Sequence, residues 1–215
     1  MAFPVRAIAL CFAVLTALYR QEPQTLPEPS IPAFGRDTVL VWQSENQGDT
    51  YRFVVRIAEF LPNRYLEWEN ETTQGTVFMS QKAVTTGRVF LNSRLFEGGV
   101  EAKGKDATTL WLSRRAFSEL KDKGRLKLAI DSIDCWVSVE GEDSLTVEVN
   151  RAPRPLPVLK TRDERGTERW ILNSEDNPLV VRTAVRKYTD TLISITTDRA
   201  NTLRWIKGKK LATPK

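Results

Sequence analysis

The sequence contains no histidine among its 215 residues. Histidine is the usual general base near neutral pH and the commonest metal ligand in proteins. Its absence excludes Ser-His-Asp and Cys-His catalysis, HExxH metalloproteases and ordinary zinc sites. No other catalytic constellation stands out, so we predict a non-enzymatic protein with no catalytic residue, no metal ligand and no cofactor.

Cysteine is nearly as rare. Cys11 lies in an apolar N-terminal segment and Cys135 in a predicted strand. If the N-terminal segment is removed, one thiol remains and no internal disulfide can form. No cation or helix N-terminus flanks Cys135 to lower its thiol pKa, and we therefore expect a buried structural cysteine.

Most of the chain also lacks a charge bias. The formal net charge is +5, but the last twelve residues carry five basic side chains and no acid, which leaves 27 residues of each sign in the rest. A short basic tail is commonly just solvated, and we predict no specific nucleic-acid partner. If the tail has a partner, Lys207, Lys209 and Lys210 would contact an envelope protein or an anionic surface.

No apolar run is long enough for a typical membrane helix, which needs about 20 residues. The run Ala7–Tyr19 has 13 residues and follows a single arginine, a pattern typical of a secretory signal. We predict that residues 1–20 are a signal peptide or an N-terminal anchor. The mature protein would then be periplasmic or extracellular, with cleavage of the segment left open.

Proline and strand signals divide the remaining chain. Four prolines in residues 21–37 predict an extended linker. Residues 38–206 are predicted to form a single β-rich domain, and residues 207–215 form the basic tail. Ser113 and Gly124 bracket an amphipathic helix, since they stand where an N-cap and a C-terminal glycine belong.

Many segments of the predicted domain alternate between apolar and polar residues, which is typical of half-buried strands. The clearest places Tyr51, Phe53, Val55 and Ile57 on one face. The fold class is therefore mainly β: an antiparallel meander forming a barrel or half-barrel, or alternatively a β-sandwich, with one short amphipathic helix.

The stretch 168–197 predicts three antiparallel strands of this meander. Turn formers at Asn173–Pro178 and Tyr188–Asp190 separate its apolar runs. A further turn is predicted at Glu140–Asp143 and a proline-rich joint at residues 151–157. The acidic residues of the stretch are interpreted as turn chemistry and are given no catalytic role.

Arg52 and Arg56 are the candidate ligand-binding residues. They project from the same face of one long strand, and in a cupped sheet that face would meet an anionic headgroup. The alternative is an outer, solvated face. Glu67 and Glu69 also share a strand face, and paired carboxylates can serve glycoside hydrolysis, although a solvated face explains them as well.

One resemblance adds to these expectations. Trp170–Asn173 followed by Asp176–Val181 resembles a pattern in uncharacterised bacterial exported β-proteins, and the similarity covers about residues 143–197. It implies an envelope β-domain and is loosely similar to periplasmic half-barrels that shelter lipid. Its motifs are structural, so it assigns no functional residue.

Three functions are compatible with the sequence. The first is an exported, non-enzymatic envelope protein that binds an apolar or amphipathic, lipid-like ligand in a curved β-sheet. The second is a structural or interaction module that docks by an edge strand or by the basic tail. The third is a hydrolase that uses aspartate and glutamate alone, and it requires two carboxylates facing each other in a cleft.

Overall fold

The computed structural model describes residues 30–92, the backbone of 101–104, and residues 106–198. The strands and helices have the following bounds in chain order: β1 Val39–Asn46, β2 Asp49–Glu59, β3 Arg64–Asn70, β4 Gln74–Met79, α1 Gln81–Thr86, β5 Val89–Phe90, β6 Glu101–Gly104, β7 Ala107–Thr108, α2 Arg114–Lys123, β8 Arg125–Ile130, β9 Ile133–Val149, β10 Ala152–Asp163, β11 Glu168–Leu172, β12 Val180–Val185 and β13 Tyr188–Thr196.

All thirteen strands belong to one sheet, in the order β6-β4-β3-β2-β1-β13-β12-β11-β10-β9-β8-β5-β7. The sheet is mixed, because β4 pairs in parallel with β6, and β5 pairs in parallel with β7 and with β8. These pairs are short, and the long ladders are antiparallel, as predicted. Ser194 and Ile195 also pair in parallel with Glu148 and Val149. The sheet thus curls into a partial ring, which confirms a mainly β, barrel-like or half-barrel-like fold.

Asn150 fastens this ring where β9 turns into β10. Its side-chain Oδ1 accepts hydrogen bonds from the backbone N–H groups of Thr197 (2.8 Å) and Asp198 (3.3 Å), and its Nδ2 donates to Thr197 Oγ1 (3.0 Å). Asn150 has φ 50°, a left-handed conformation that asparagine tolerates better than most residues. Asn150 therefore forms the tight turn together with Arg151, whose φ is 70°, and also anchors the end of β13.

The C-terminal meander is confirmed, and β11, β12 and β13 pair antiparallel in sequence. The turn predicted at Glu140–Asp143 is wrong, because β9 runs unbroken through it. Gly141 pairs with Lys160 while Val139 pairs with Thr161, so Glu140 is the extra residue of a β-bulge. A glycine in an acidic, polar run indicates a turn from sequence, but here it accommodates the bulge.

The proline-rich joint is also part of a strand. Pro153, Pro155 and Pro157 alternate in β10 and pair with residues of β9. The Pro157 carbonyl accepts a hydrogen bond from Asn173 N (2.9 Å), on the side away from β9. In an antiparallel strand the nitrogen and carbonyl of one residue point to the same side, so the alternating prolines leave the ladder with β9 intact.

Helix α2 confirms the predicted helix. Ser113 Oγ accepts from Ala116 N at its start, and Gly124 has φ 70° at its end. The prediction missed the six-residue helix α1, which Ser80 caps in the same way. Its length gives too few turns for an apolar period to be visible.

Two apolar clusters form the core. One contains buried residues of β1–β4 together with residues of β9–β13, and the other lies under α2 and includes Cys135. Burial raises the pKa of the Cys135 thiol, as expected of a structural cysteine. Ile31 and Phe34, within the predicted linker, pack against the first cluster, so the packed body begins before residue 38.

Residues 1–29 and 199–215 lie outside the described residues. The predicted signal or anchor, most of the linker, the last residues of the predicted domain and the basic tail fall there. Within the described part, neither helix is long and apolar enough to cross a membrane.

A buried ion pair joins β10 to β11. Arg169 Nη1 donates to Asp163 Oδ2 (2.9 Å), and Asp163 Oδ1 accepts from the N–H groups of Arg165 and Thr167 (both 3.0 Å). Both Asp163 and Arg169 are 3% exposed. Burial alone would raise the pKa of Asp163, but these hydrogen bonds and the Arg169 charge outweigh burial and lower it.

Replacing Asp163 by asparagine is expected to lower the free energy of unfolding by about 3–5 kcal/mol, because Arg169 then stays buried without its counter-charge. Glu140→Gln, in a half-exposed cluster with Lys160 and Arg162, is the control and should cost much less, because solvent screens its ion pairs. Urea denaturation measures both. Equal losses of unfolding free energy in the two variants would show that the buried Asp163–Arg169 pair stabilises the fold no more than an exposed pair does.

The same pair predicts an acid dependence. Because the folded-state pKa of Asp163 lies below its ordinary value, its stabilisation is complete above the unfolded pKa and is lost as pH falls through the folded one. The difference in unfolding free energy between wild type and Asp163→Asn should therefore shrink below about pH 4. A difference that stays constant down to acidic pH would contradict this.

Two variants, Asn150→Ala and Asn150→Gly, separate the turn conformation of Asn150 from its side-chain hydrogen bonds. Both remove the bonds to Thr197, but only alanine is strained at φ 50°. We expect both variants to have a lower free energy of unfolding than wild type in a thermal melt. The alanine variant should be less stable than the glycine variant by about 1 kcal/mol. Wild-type stability in the glycine variant would show that the side chain does not fasten the ring.

Candidate functional site

A cavity of about 270 Å³ lies on one face of the five neighbouring strands β3, β2, β1, β13 and β12. Its wall is completed by Phe90 in β5, Asn92 after β5, Leu110 before α2 and Val180 at the start of β12. The lining residues are Trp42, Ser44, Tyr51, Phe53, Trp68, Asn70, Phe90, Asn92, Leu110, Val180, Thr183, Val185, Tyr188 and Asp190.

Strand register brings the polar part of the cavity together. Ser44 on β1 is the Cα partner of Tyr51 on β2 and of Asp190 on β13. Asp190 in turn is the partner of Thr183 on β12. Directly opposed residues project from the same face of a sheet, so these four side chains form one row across four strands.

Aromatic rings form the adjacent wall. Trp42 and Phe53 are cross-strand partners, and their rings stack with centroids 5.2 Å apart and planes 5° apart. Trp68 lies on the next strand, opposite Gly75. A Cβ at Gly75 would sit 2.8 Å from Trp68 Nε1, so a glycine is needed there for the indole to lie across β4.

Asp190 is the centre of the polar row. Ser44 Oγ donates a hydrogen bond to Asp190 Oδ1, and the Tyr188 phenol donates to Oδ2. Burial raises the pKa of Asp190 above its ordinary value, and the two hydrogen bonds only partly counter this. The carboxyl group is thus held by two neutral donors, and no lysine or arginine among the described residues forms an ion pair with it.

Tyr188 joins Asp190 to the rim. Burial, the nearby Asp190 carboxylate and a hydrogen bond with Tyr51 together raise the pKa of Tyr188. The phenol therefore stays protonated at physiological pH and acts as a donor to Asp190. Tyr51 is 38% exposed and marks the side of the cavity that is open to solvent.

The opposite rim is tied to the buried ion pair. Asn92, a lining residue, donates from its backbone N–H and from Nδ2 to the carboxylate of Asp131 (2.9 and 2.7 Å). Arg169 Nη2 donates to Asn92 Oδ1 (3.4 Å). The position of this rim side chain therefore depends on the Asp163–Arg169 pair.

The structure places Arg52 and Arg56 away from the cavity. The predicted alternation of β2 is correct, but Tyr51 and Phe53 face the cavity, so the arginines lie on the other face. Arg56 is neutralised there by Glu67 (Nε–Oε2 2.8 Å) and Asp37 (Nη1–Oδ1 2.7 Å). Glu67 is consequently buried in an ion pair and is not a solvated residue.

Sequence reasoning missed Asp190 because it assigned Tyr188–Asp190 to a turn. Val185 pairs with Tyr188, so the turn consists of Arg186 and Lys187, and β13 starts at Tyr188. Arg186 has φ 49°, which no simple turn signature marks. The available signal was the alternation of Tyr188, Asp190 and Leu192, in which the acid occupies an inward position.

The chemistry open to this site is binding of a small ligand. One carboxyl group, hydroxyl groups and two side-chain amides can fix a polar group, and aromatic rings can cover an apolar part. Asp190 is the single carboxylate among the described lining residues, so the arrangement gives no support to a two-carboxylate hydrolase. No group of three metal-ligating side chains occurs in the described ranges.

Comparison with protein-family models, with curated proteins and with solved structures gave no match for the chain. The resemblance to exported β-proteins therefore stays a prediction.

The raised pKa of Asp190 predicts a pH effect on stability. The folded-state pKa of Asp190 lies above its ordinary value of 3.8, so the folded protein binds this proton more tightly than the unfolded chain does. As pH rises from the ordinary pKa to the folded-state pKa, Asp190 therefore destabilises the fold. Asp190→Asn removes the effect. The variant should therefore gain stability relative to wild type as pH rises above about 4.

Urea denaturation at several pH values provides the measurement. Asp122→Asn, at an exposed position of α2, is the control and should follow the wild-type pH profile. If Asp190→Asn also runs parallel to wild type over this interval, the carboxyl group is not perturbed in the way the structure indicates.

Proposed function

We propose that this chain is an exported, non-enzymatic binding protein that holds a small amphipathic molecule on the curved face of its sheet. The observation that carries the proposal is the cavity of about 270 Å³, in which stacked aromatic rings adjoin the polar row of Ser44, Asp190 and Tyr51. Pockets for drug-sized ligands range from about 300 to 1,000 Å³, so a ligand somewhat smaller than these is expected.

Composition of the wall supports binding of an amphipathic molecule. Trp42 is 1% exposed and Trp68 is 4% exposed, so both rings are already packed into the wall without a ligand. A preformed wall lowers the entropy lost on binding. The polar row lies beside this wall and would orient one end of the ligand.

The export part of the proposal rests on the sequence of residues 1–20. The apolar run after Arg6 and the following prolines are typical of a signal or anchor and a spacer. A ligand-binding domain placed after such a spacer would act in the periplasm or outside the cell.

Filling the cavity tests the proposal. Thr183→Phe introduces a ring into the polar row, and it should lower the affinity for a copurifying or added amphipathic ligand by about ten-fold or more, because the volume is occupied. Native mass spectrometry of the purified protein, followed by solvent extraction, identifies the ligand. Calorimetry then gives the affinity of each variant.

Arg52→Ala is the matched control, since it alters the other face of the same sheet region. It should leave the affinity within about two-fold of wild type, a change of less than 0.5 kcal/mol. A larger loss of ligand affinity with Arg52→Ala than with Thr183→Phe would show that the ligand binds on the outer face, which carries Arg52. Failure of both native mass spectrometry and ligand screening to detect any small molecule would overturn the proposal.

A further inference from the structure

The cavity has an unusual charge composition for a site expected to take a lipid-like ligand. Its fourteen described lining residues include Asp190 but no lysine or arginine. The basic residues that are neighbours of the lining residues in sequence point away from the cavity. Arg52 lies on the outer face, and Arg182 stacks on Trp170, with its Cζ 4.7 Å from the ring centroid. Arg186 and Lys187 form the hairpin turn and line a separate surface pocket.

This composition disfavours an anionic ligand. A carboxylate or phosphate headgroup in the polar row would meet Asp190 and would find no cation among the described lining residues. Like charges brought together in a partly desolvated site repel each other strongly. The anionic headgroup expected to contact Arg52 and Arg56 therefore has no counterpart in the cavity.

Within the described part of the chain, the carboxylate of Asp190 is also incompletely satisfied. It receives one hydrogen bond from Ser44 and one from Tyr188, whereas an ionised carboxylate can accept about four. Both donors are neutral hydroxyl groups. A partly buried charge without a counter-charge is costly, so a ligand that brings a positive charge would be held more tightly than a neutral one.

The aromatic wall favours the same ligand. The aromatic residues that line the cavity are Trp42, Tyr51, Phe53, Trp68, Phe90 and Tyr188. The faces of aromatic rings attract cations, and sites for alkylammonium groups commonly combine several rings with a carboxylate. The rings would also cover the apolar part of the molecule.

We propose that the ligand is a small organic cation, an alkylammonium or arylammonium ion, with its charged nitrogen beside Asp190 and its apolar part against Trp42, Phe53 and Trp68. This inference rests on the proposed binding function and specifies the ligand class. It replaces the anionic headgroup by a group of opposite charge.

Three probes of nearly the same shape test the charge of the ligand. Choline carries a permanent positive charge, 3,3-dimethylbutan-1-ol is its neutral isostere, and 3,3-dimethylbutanoate is an anion of similar size. Calorimetry with the purified full chain at pH 7.5 should show that choline binds about ten-fold or more tightly than the alcohol, and that the anion binds most weakly.

Two variants assign the preference to Asp190. Asp190→Asn should bring the affinity for choline to within about two-fold of that for the alcohol, whereas the exposed Asp122→Asn should retain the ten-fold preference. Circular dichroism checks that both variants are folded. If choline is still preferred by ten-fold in Asp190→Asn, the carboxylate does not recognise the charge and the inference is wrong.

The affinity for choline should also rise with pH, because choline itself does not titrate and Asp190 must be ionised to attract it. The titratable groups that face Asp190 are Tyr51 from β2 and Tyr188 from its own strand. The facing residues of β1 and β12, Ser44 and Thr183, carry no titratable group. An affinity for choline that is the same at pH 4.5 and pH 7.5 would contradict the proposal.

The outcomes separate this inference from the function on which it rests. Tighter binding of the alcohol or the anion than of choline would overturn the cationic ligand and leave a small-molecule binding protein. Absence of binding by all three probes and by benzyltrimethylammonium, a larger arylammonium ion, would overturn the cation proposal. Detection of a different copurifying small molecule would then still support the proposed function.

Discussion

The structure depends on the ladder between β1 and β13. Eight Cα pairs, from Val39 with Thr196 to Asn46 with Tyr188, join strands that lie about 150 residues apart in the chain. In the sheet order this ladder connects the N-terminal strands β2, β3 and β4 to the C-terminal meander. A slip of one residue would turn every side chain of one strand to the other face, so the register of this ladder also determines the site.

A β-bulge adjusts that register. The pairing shifts between Val41 and Trp42, after which Trp42 meets Leu192 and Ser44 meets Asp190. Ile193 is the extra residue of β13, and it allows Ile195 opposite Leu40 and Asp190 opposite Ser44 to face the same side although they lie five positions apart. Bulges commonly redirect side chains beside binding sites, and this one places a charge next to a tryptophan wall.

The proposed binding function would explain why the fold keeps a destabilising residue. A carboxyl group whose pKa is raised by burial weakens the folded state near neutral pH, and a hydrophobic residue at position 190 would pack without this effect. Binding sites often keep such residues because the ligand, and not the protein, completes their interactions. The stability lost at Asp190 is a property expected of a recognition residue.

Local patterns in the sequence were sufficient for much of the fold. The alternation of Tyr51, Phe53, Val55 and Ile57 identified the strand and placed these four residues on one face, but it did not show that this face is the inward one. The pair Ser113 and Gly124 identified α2. Such signals are carried by neighbours in sequence, and strands and capped helices depend mainly on those neighbours.

The candidate site could not be predicted in the same way. Ser44 and Asp190 become neighbours through a pairing that no local pattern encodes, and the segment Tyr188–Asp190 resembles a turn in composition. Arg52 and Arg56 were chosen for their charge, but the curvature that selects the concave face comes from the whole sheet. Glu140 and Gly141 were misassigned for a related reason, since a bulge and a turn use the same residue types.

The alternating prolines of β10 have a consequence for how the molecule meets others of its kind. β11 pairs with β10 only from Val158 onward, so the earlier part of β10 borders β9 on one side alone. Pro153 and Pro155 offer no N–H group on the other side, and at Pro157 that side is occupied by Asn173, so an extended segment from a second molecule would find no proline donors with which to continue the sheet. The alternating prolines thus disfavour edge-to-edge pairing at this margin of β10.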